Sequence, residues 1–400
     1  MFFAHLADCH LGGWRDPVMR EVNIRAFETA IGRCVDEKVD FVIISGDLFN
    51  TSVPGIDTTR AAFEQLRRLK DAEIGVYFVA GSHDCSPSGR SILDVVESAG
   101  LGVNVSRGAA TEDGLLRLEA VRDAKTGVAL CGIPGRSGGL DRQHYEFLDR
   151  AALEKIPAPR IFVFHSSISE LKPEGMEHLE AMGVSMLPNG FDYYAGGHVH
   201  IIGNRSFPGH LNVVYPGPTY PNNFAELEQL GAGSFCLVRD WQVEHVRIEP
   251  HPVASIEVNV DGKSAAEAQR AIATALPEDA SGQIVLLRIE GMLSQGSVAD
   301  IKWAELSGLP CVALLKNTNA LTSKEFEEVS IETGTLEEME ERLTREHAGK
   351  SGILAADQEI VLTKELMGVL SAEKNDGEKT GDFERRVQLD ARGVLDRRIT

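Results

Sequence analysis

Nowhere in this 400-residue chain is there a run of the ~18 apolar residues that a membrane-crossing helix needs. The first residues enter a strand-like run at once. They show no basic n-region and no signal-type apolar segment, so no secretory leader is expected. Six cysteines (Cys9, Cys34, Cys85, Cys131, Cys236 and Cys311) are scattered without C-x-x-C spacing. That argues against a zinc ribbon or a disulfide framework and fits a reduced, cytoplasmic setting. A Lys/Arg-rich block is missing as well. The net charge is −20, and residues 1–250 carry 23 Lys and Arg against 33 Asp and Glu. A strong sequence-independent grip on phosphates needs a basic patch, so intrinsic nucleic-acid affinity is expected to be weak, with a partner supplying much of the grip. No internal repeat is visible. What is present is 43% hydrophobic residues, enough to fill the cores of two or three domains.

The chemistry is concentrated in five short pieces: Asp8-Cys9-His10, Gly46-Asp47, Gly81-Ser82-His83-Asp84, His165, and Gly196-Gly197-His198-Val199-His200. Each follows a short apolar run rich in β-branched and aromatic residues. Runs of that kind read as buried strands. In open α/β sheets, ligands collect just beyond the carboxyl ends of the strands. Any one piece alone is bland: a single Asp at a strand end is usually a cap or turn residue. The other histidines (His5, His144, His178, His210, His245, His251 and His347) take that bland reading as core or surface residues. Agreement in order, residue type and strand-end position is what points to one metal site. Mixed histidine and carboxylate ligation suits manganese, iron or zinc better than calcium.

The order D-x-H, G-D, G-x-H-D, H, G-H-x-H resembles the calcineurin-like metallophosphoesterases. The segments "FFAHLADCHLG", "GDLFNTSVP", "SHDCSPSG" and "VVYPGPTY", with a long C-terminal extension, are similar to the Mre-eleven/SbcD family of double-strand-break repair nucleases. The resemblance implies a layered α/β sandwich with a small α+β capping domain and a helical tail. It implies a two-metal DNA nuclease, a 3'-5' exonuclease and single-strand endonuclease, with Mn(2+) as the expected metal. Asp8, His10, Asp47 and His200 would hold one ion; Asp47, Ser82, His165 and His198 the other. His83 would be the catalytic histidine and Asp84 the residue that orients it. The family has Asn where this chain has Ser82, a shorter and poorer ligand. It often has His where this chain has Asn50. Expected partners are DNA ends and single-stranded DNA, an ABC-type ATPase of the Rad-fifty/SbcC kind, and a second copy of the chain contacted through residues 58–72 and 91–97. The alternatives are a generic phosphodiesterase or phosphatase with the same site, and a weakly active scaffold subunit.

The expected organisation is a nuclease domain over 1–250, a cap over 251–320 and an acidic linker with a docking tail over 321–400. Strands are predicted at 2–7, 41–44, 76–80, 128–131, 161–165, 193–195, 213–215 and 234–239, and helices at 22–38, 58–72 and 91–97. In the tail, Thr335-x-x-Glu338 reads as a capping box opening a helix to about His347. Residues 372–382 read as a polar loop. A second tail helix repeats Leu362, Leu366, Val369 and Leu370 on one face, the spacing of a stripe that meets a partner groove.

Overall fold

A computed structural model describes residues 1–85, 91–136, 144–172, 181–306, 308–324, 344–345, 348, 355–372, 374 and 380–399. The chain divides into two compact units, Met1–Lys324 and Glu325–Thr400. The first is a layered α/β sandwich built on two six-stranded sheets. One sheet runs β14 (Gln242–Ile248), β13 (Gly233–Arg239), β1 (Phe2–Leu6), β2 (Phe41–Ser45), β3 (Gly75–Val79) and β4 (Val103–Asn104). The other runs β11 (Ile202–Phe207), β12 (His210–Pro216), β10 (Tyr193–Gly197), β9 (Arg160–His165), β8 (Ala129–Ile133) and β7 (Val121–Arg122). A hairpin of β5 (Gly108–Ala110) and β6 (Leu116–Leu118) stands apart.

The central strands of both sheets are parallel, so their carboxyl ends lie on one side of the sandwich. Buried on both faces, they read as continuous apolar runs, and the sequence shows them plainly. The antiparallel outer strands β7, β11 and β14 lack that signature and are not among the predicted strands. Between the sheets lies an apolar layer that includes Phe3, Phe41, Ile43, Ile161, Val163, Tyr193, Ala195 and Val214.

The helix α1 (Pro17–Asp36) starts five residues before its predicted start. Asp16 caps it through bonds from the Val18 and Met19 amides, and Pro17 occupies the first turn. The helices α2 (Ile56–Asp71) and α3 (Ile92–Ser98) stand where expected, the latter opened by a Ser91–Asp94 capping box.

The same unit carries the parallel sheet β15 (Val253–Asn259), β16 (Ala280–Leu293) and β17 (Cys311–Ser323). Alternate residues of β16 point opposite ways, as strand geometry requires. Ile284 and Leu286 join the core beneath α1, while Leu287 and Ile289 pack with Ile272 of the helix Ala265–Ala275.

The second unit contributes the helices Ala356–Leu370 and Thr380–Ile399. The second of these occupies part of the expected 372–382 loop and runs on through a stretch given no structure by the sequence reading. Arg398 and Glu365 pair between the two helices. Leu362, Leu366 and Val369 are half-buried, and Leu370 is exposed. The expected capping box at Thr335 lies outside the described residues. No helix among the described residues is long and apolar enough to cross a membrane.

Candidate metal centre

The strand ends bring their loops together through backbone and carboxylate bonds. The Asp8 amide donates to the Gly46 carbonyl at 3.1 Å, and the His10 amide to the Asp47 carbonyl at 2.9 Å. The His198 amide donates to both Asp8 carboxylate oxygens, at 2.9 and 3.1 Å. The His83 amide donates to Asp47 Oδ1 at 2.8 Å. Thus each of the two aspartates fixes a loop from elsewhere in the chain.

Five of these residues hold left-handed backbone: Asp8, His10, Asp47, His198 and His200. Such conformations cost of order 1–3 kcal/mol each and persist where the surroundings enforce them, commonly at functional sites. Gly46 shares the geometry with φ +85°, and a Cβ there would lie 2.2 Å from His165 Nδ1.

Three groups of side chains converge so that one ligand atom from each lies within 4.8 Å of the others: Asp8, His10 and His200; His10, Asp47 and His83; Asp8, Asp47 and His165. Asp47 is shared by two of the groups, and its Oδ2 lies 3.2 Å from His165 Nε2, 3.6 Å from His10 Nε2 and 3.4 Å from Ser82 Oγ. His198 stands in the same cleft but outside these groups, its ring 5.1 Å from that of His165.

The donor chemistry fits cations. His165 Nδ1 donates to the Ser45 carbonyl at 2.7 Å, so Nε2 is the ring nitrogen that faces Asp47. His10 Nε2 and His200 Nε2 face each other at 3.0 Å, and His10 Nδ1 is buried with no hydrogen-bond partner. Ring nitrogens and carboxylate oxygens aimed at one another need protons or metal ions between them.

Electrostatics says the same. Burial pushes His165 down, but the adjacent Asp47 and Asp8 charges outweigh it and raise the imidazole. Burial raises Asp47, and the His165 and His10 charges more than reverse this. Burial drives His10 down to about 3, so it is neutral, the form that ligates.

Asp84 departs from its expected role. Its carboxylate is fully buried and accepts from the amides of Leu48, Phe49 and Gly81, at 3.3, 3.0 and 2.9 Å. Burial and the Asp47 charge push it up to about 6. It pins two loops and does not meet the His83 ring. That ring is oriented by Asn50, whose carbonyl accepts from His83 Nδ1 at 2.9 Å and leaves Nε2 free. Asn50 is held in turn by Asn222 Nδ2 at 3.0 Å.

Glu226 was not among the expected site residues. Its Oε2 lies 3.1 Å from His200 Nδ1, and burial notwithstanding, the His200 bond holds its carboxyl down. The sequence carries half the signal. Asn223 caps the helix Phe224–Leu230 by accepting from the Glu226 amide, but only the fold shows that the Glu226 carboxylate also reaches a histidine.

The cleft over these groups has a volume of about 780 Å³. One wall is apolar, made by Leu171, Val199, Ile201, Ile202 and Leu230, and no Lys or Arg lines it among the described residues.

Comparison with known proteins places the constellation. The chain is 28% identical over 279 residues to the DNA double-strand break repair protein Mre11 of Archaeoglobus fulgidus, covering 64% of this chain and 61% of that one. It is 31% identical over 204 residues to the protein of the same name from Methanococcus maripaludis, covering 50% and 52%. For that of Methanocaldococcus jannaschii it is 28% identical over 288 residues, covering 66% and 70%. The chain thus spans little more than half the length of the first two relatives. Residues 1–201 match the calcineurin-like phosphoesterase pattern, a segment that starts before Asp8 and ends just past His200. With half of its length and every converging strand-end residue inside that match, the chain belongs to the calcineurin-like phosphoesterase family.

Proposed function

We propose that this protein is a two-metal DNA nuclease of double-strand-break repair, acting as a 3'-5' exonuclease and single-strand endonuclease. The observation that carries the reading is the convergence of buried Asp8, His10, Asp47 and His165 with His200 in overlapping groups of candidate ligands. In this reading Asp8, His10, Asp47 and His200 hold one divalent cation. Asp47, Ser82, His165 and His198 hold the other, with Mn(2+) as the metal. Two such ions would supply Lewis acidity to a phosphoryl group and lower the pKa of the attacking water. Asp47, common to both sets, would be shared between the two ions. His83, exposed and with Nε2 free, donates its proton to the leaving oxygen. The choice of DNA rests on the names of the relatives.

The same proposal assigns residues 1–250 to the nuclease domain, 251–320 to a cap and 321–400 to a linker and docking tail. A cleft lined by no Lys or Arg among the described residues suits a subunit whose hold on DNA ends comes from a partner, here the Rad-fifty/SbcC-type ATPase, bound through Leu362, Leu366, Val369 and Leu370. A homodimer through α2 and α3 is supported by an apolar groove between them that includes Ile56, Phe63, Ile92 and Leu101. Ile56 is 86% exposed. A cytoplasmic location completes the proposal.

The test compares Mn(2+)-dependent digestion of linear and single-stranded DNA with hydrolysis of a chromogenic phosphodiester. Digestion of DNA that chelator abolishes is the expected result. Hydrolysis of the small phosphodiester alone would overturn the nuclease reading and leave a generic phosphodiesterase.

A further inference from the structure

The apolar layer between the two sheets is interrupted by a polar chain. His5 Nδ1 lies 2.9 Å from Tyr193 Oη, His5 Nε2 lies 2.8 Å from Ser45 Oγ, and Ser45 Oγ lies 3.1 Å from the Ala195 carbonyl. All three side chains are fully buried. The proton order follows from the last link. A carbonyl only accepts, so Ser45 donates to Ala195 and accepts from His5 Nε2–H; His5 Nδ1 therefore accepts from Tyr193. Every donor is used, with the imidazole neutral. Burial agrees, holding His5 down to about 3.

The position of this chain is what matters. Successive inward-facing residues are Phe3 and His5 on β1, Phe41, Ile43 and Ser45 on β2, and Tyr193, Ala195 and Gly197 on β10. The apolar layer turns polar at the carboxyl ends, directly beneath the candidate ligands. Asp8, His10 and Asp47 hang from β1 and β2. His165 and His198 follow β9 and β10 in the other sheet. Ser45 stands between them: its hydroxyl reaches Ala195, its carbonyl orients His165, and two residues later the chain supplies Asp47. The sheets approach so closely here that a Cβ on Gly197 would lie 2.2 Å from the Ser45 carbonyl. A buried polar chain in an apolar layer costs desolvation that well-packed apolar residues of the same volume avoid, so stability alone does not account for it.

We infer that His5, Ser45 and Tyr193 are positioning residues that lock the two sheets in register and so set the spacing between the two metal positions. The inference rests on the two-metal reading above. Outer partners of metal ligands typically govern affinity or activity by about 10–100-fold.

The test is manganese titration of the full chain, followed by calorimetry and electron paramagnetic resonance. Wild type should bind two Mn(2+) with an exchange-coupled signal. Ser45→Ala should weaken the second ion by about tenfold or more and replace the coupled signal with that of isolated Mn(2+). So should the combined His5→Leu, Ser45→Ala and Tyr193→Phe variant, which leaves no side chain of the network unpaired. Val214→Ala, a truncation in the same apolar layer outside the network, should keep the coupled signal. If Ser45→Ala does not fold, Tyr193→Phe is read in the same way. Folded network variants that match wild type overturn the inference, as does loss of coupling in Val214→Ala. Wild type that never yields a coupled pair overturns the two-metal reading first, and this inference with it.

Discussion

His83 and Ser82 are neighbours with opposite expected behaviour. The His83 imidazole is exposed and donates from Nδ1 to the Asn50 carbonyl, which turns Nε2 outward as the nitrogen available to the leaving group under the proposed function. His83→Ala should therefore keep its metal while kcat falls by about 10²–10⁴-fold, the usual size of general acid–base catalysis. Elemental analysis alongside single-turnover rates checks this, and a variant that arrives without metal would show that His83 is a ligand. Ser82 Oγ lies 3.4 Å from Asp47 Oδ2, close to the centre of the site but on a short arm. Ser82→Asn places an amide oxygen further out and should lower the Mn(2+) concentration for half-maximal activity. No change in that titration would put residue 82 outside the coordination sphere. Of the nine expected site residues in this half of the chain, the strand-end aspartates and histidines were legible because each follows a strong apolar run. Glu226 and Asn50 were not: a carboxylate on a helix cap and a backbone carbonyl acquire their roles only from what the fold sets beside them.

At the level of the strand, Gly197 carries a tight constraint. A Cβ there would meet the Ser45 carbonyl at 2.2 Å, His165 Nδ1 at 3.0 Å and the Ala7 Cβ at 3.1 Å. A carbonyl within a strand cannot swing aside as a flexible side chain can. Gly197→Ala should thus force the sheets apart, costing about 1–3 kcal/mol by overpacking and weakening Mn(2+) binding in the same variant. Gly203→Ala, with open space around its Cβ, is the control and should leave both unchanged. Urea unfolding and metal calorimetry read the two effects separately; a Gly197→Ala protein as stable and as metal-competent as wild type would refute the close approach of the sheets. The legibility of elements follows their burial. Parallel central strands were visible as unbroken apolar runs, whereas β7, β11 and β14 form by pairing along an edge and keep a mixed composition.

For the molecule as a whole, the tail is the part whose partner lies elsewhere under the proposed function. Truncation at residue 350 should leave Mn(2+)-dependent nuclease activity intact and abolish co-purification with the ATPase. Normal ATPase binding by the truncated chain would remove the tail from that interface. The helix Thr380–Ile399 shows what composition conceals: its apolar residues are sparse among charges, and Val394 is nonetheless buried. By itself the sequence determined the family, the central strands and the strand-end residues that converge, because those are local signals: an apolar run, a turn, a metal-binding residue type in fixed order. Only the tertiary structure decided that Asp84 pins loops where it had been expected to orient His83, that Glu226 reaches His200, and that His5, read as a bland core or surface histidine, joins Ser45 and Tyr193 across the sandwich. Those roles depend on contacts between residues 26 to 188 positions apart, and no periodicity or local propensity encodes which of them will meet.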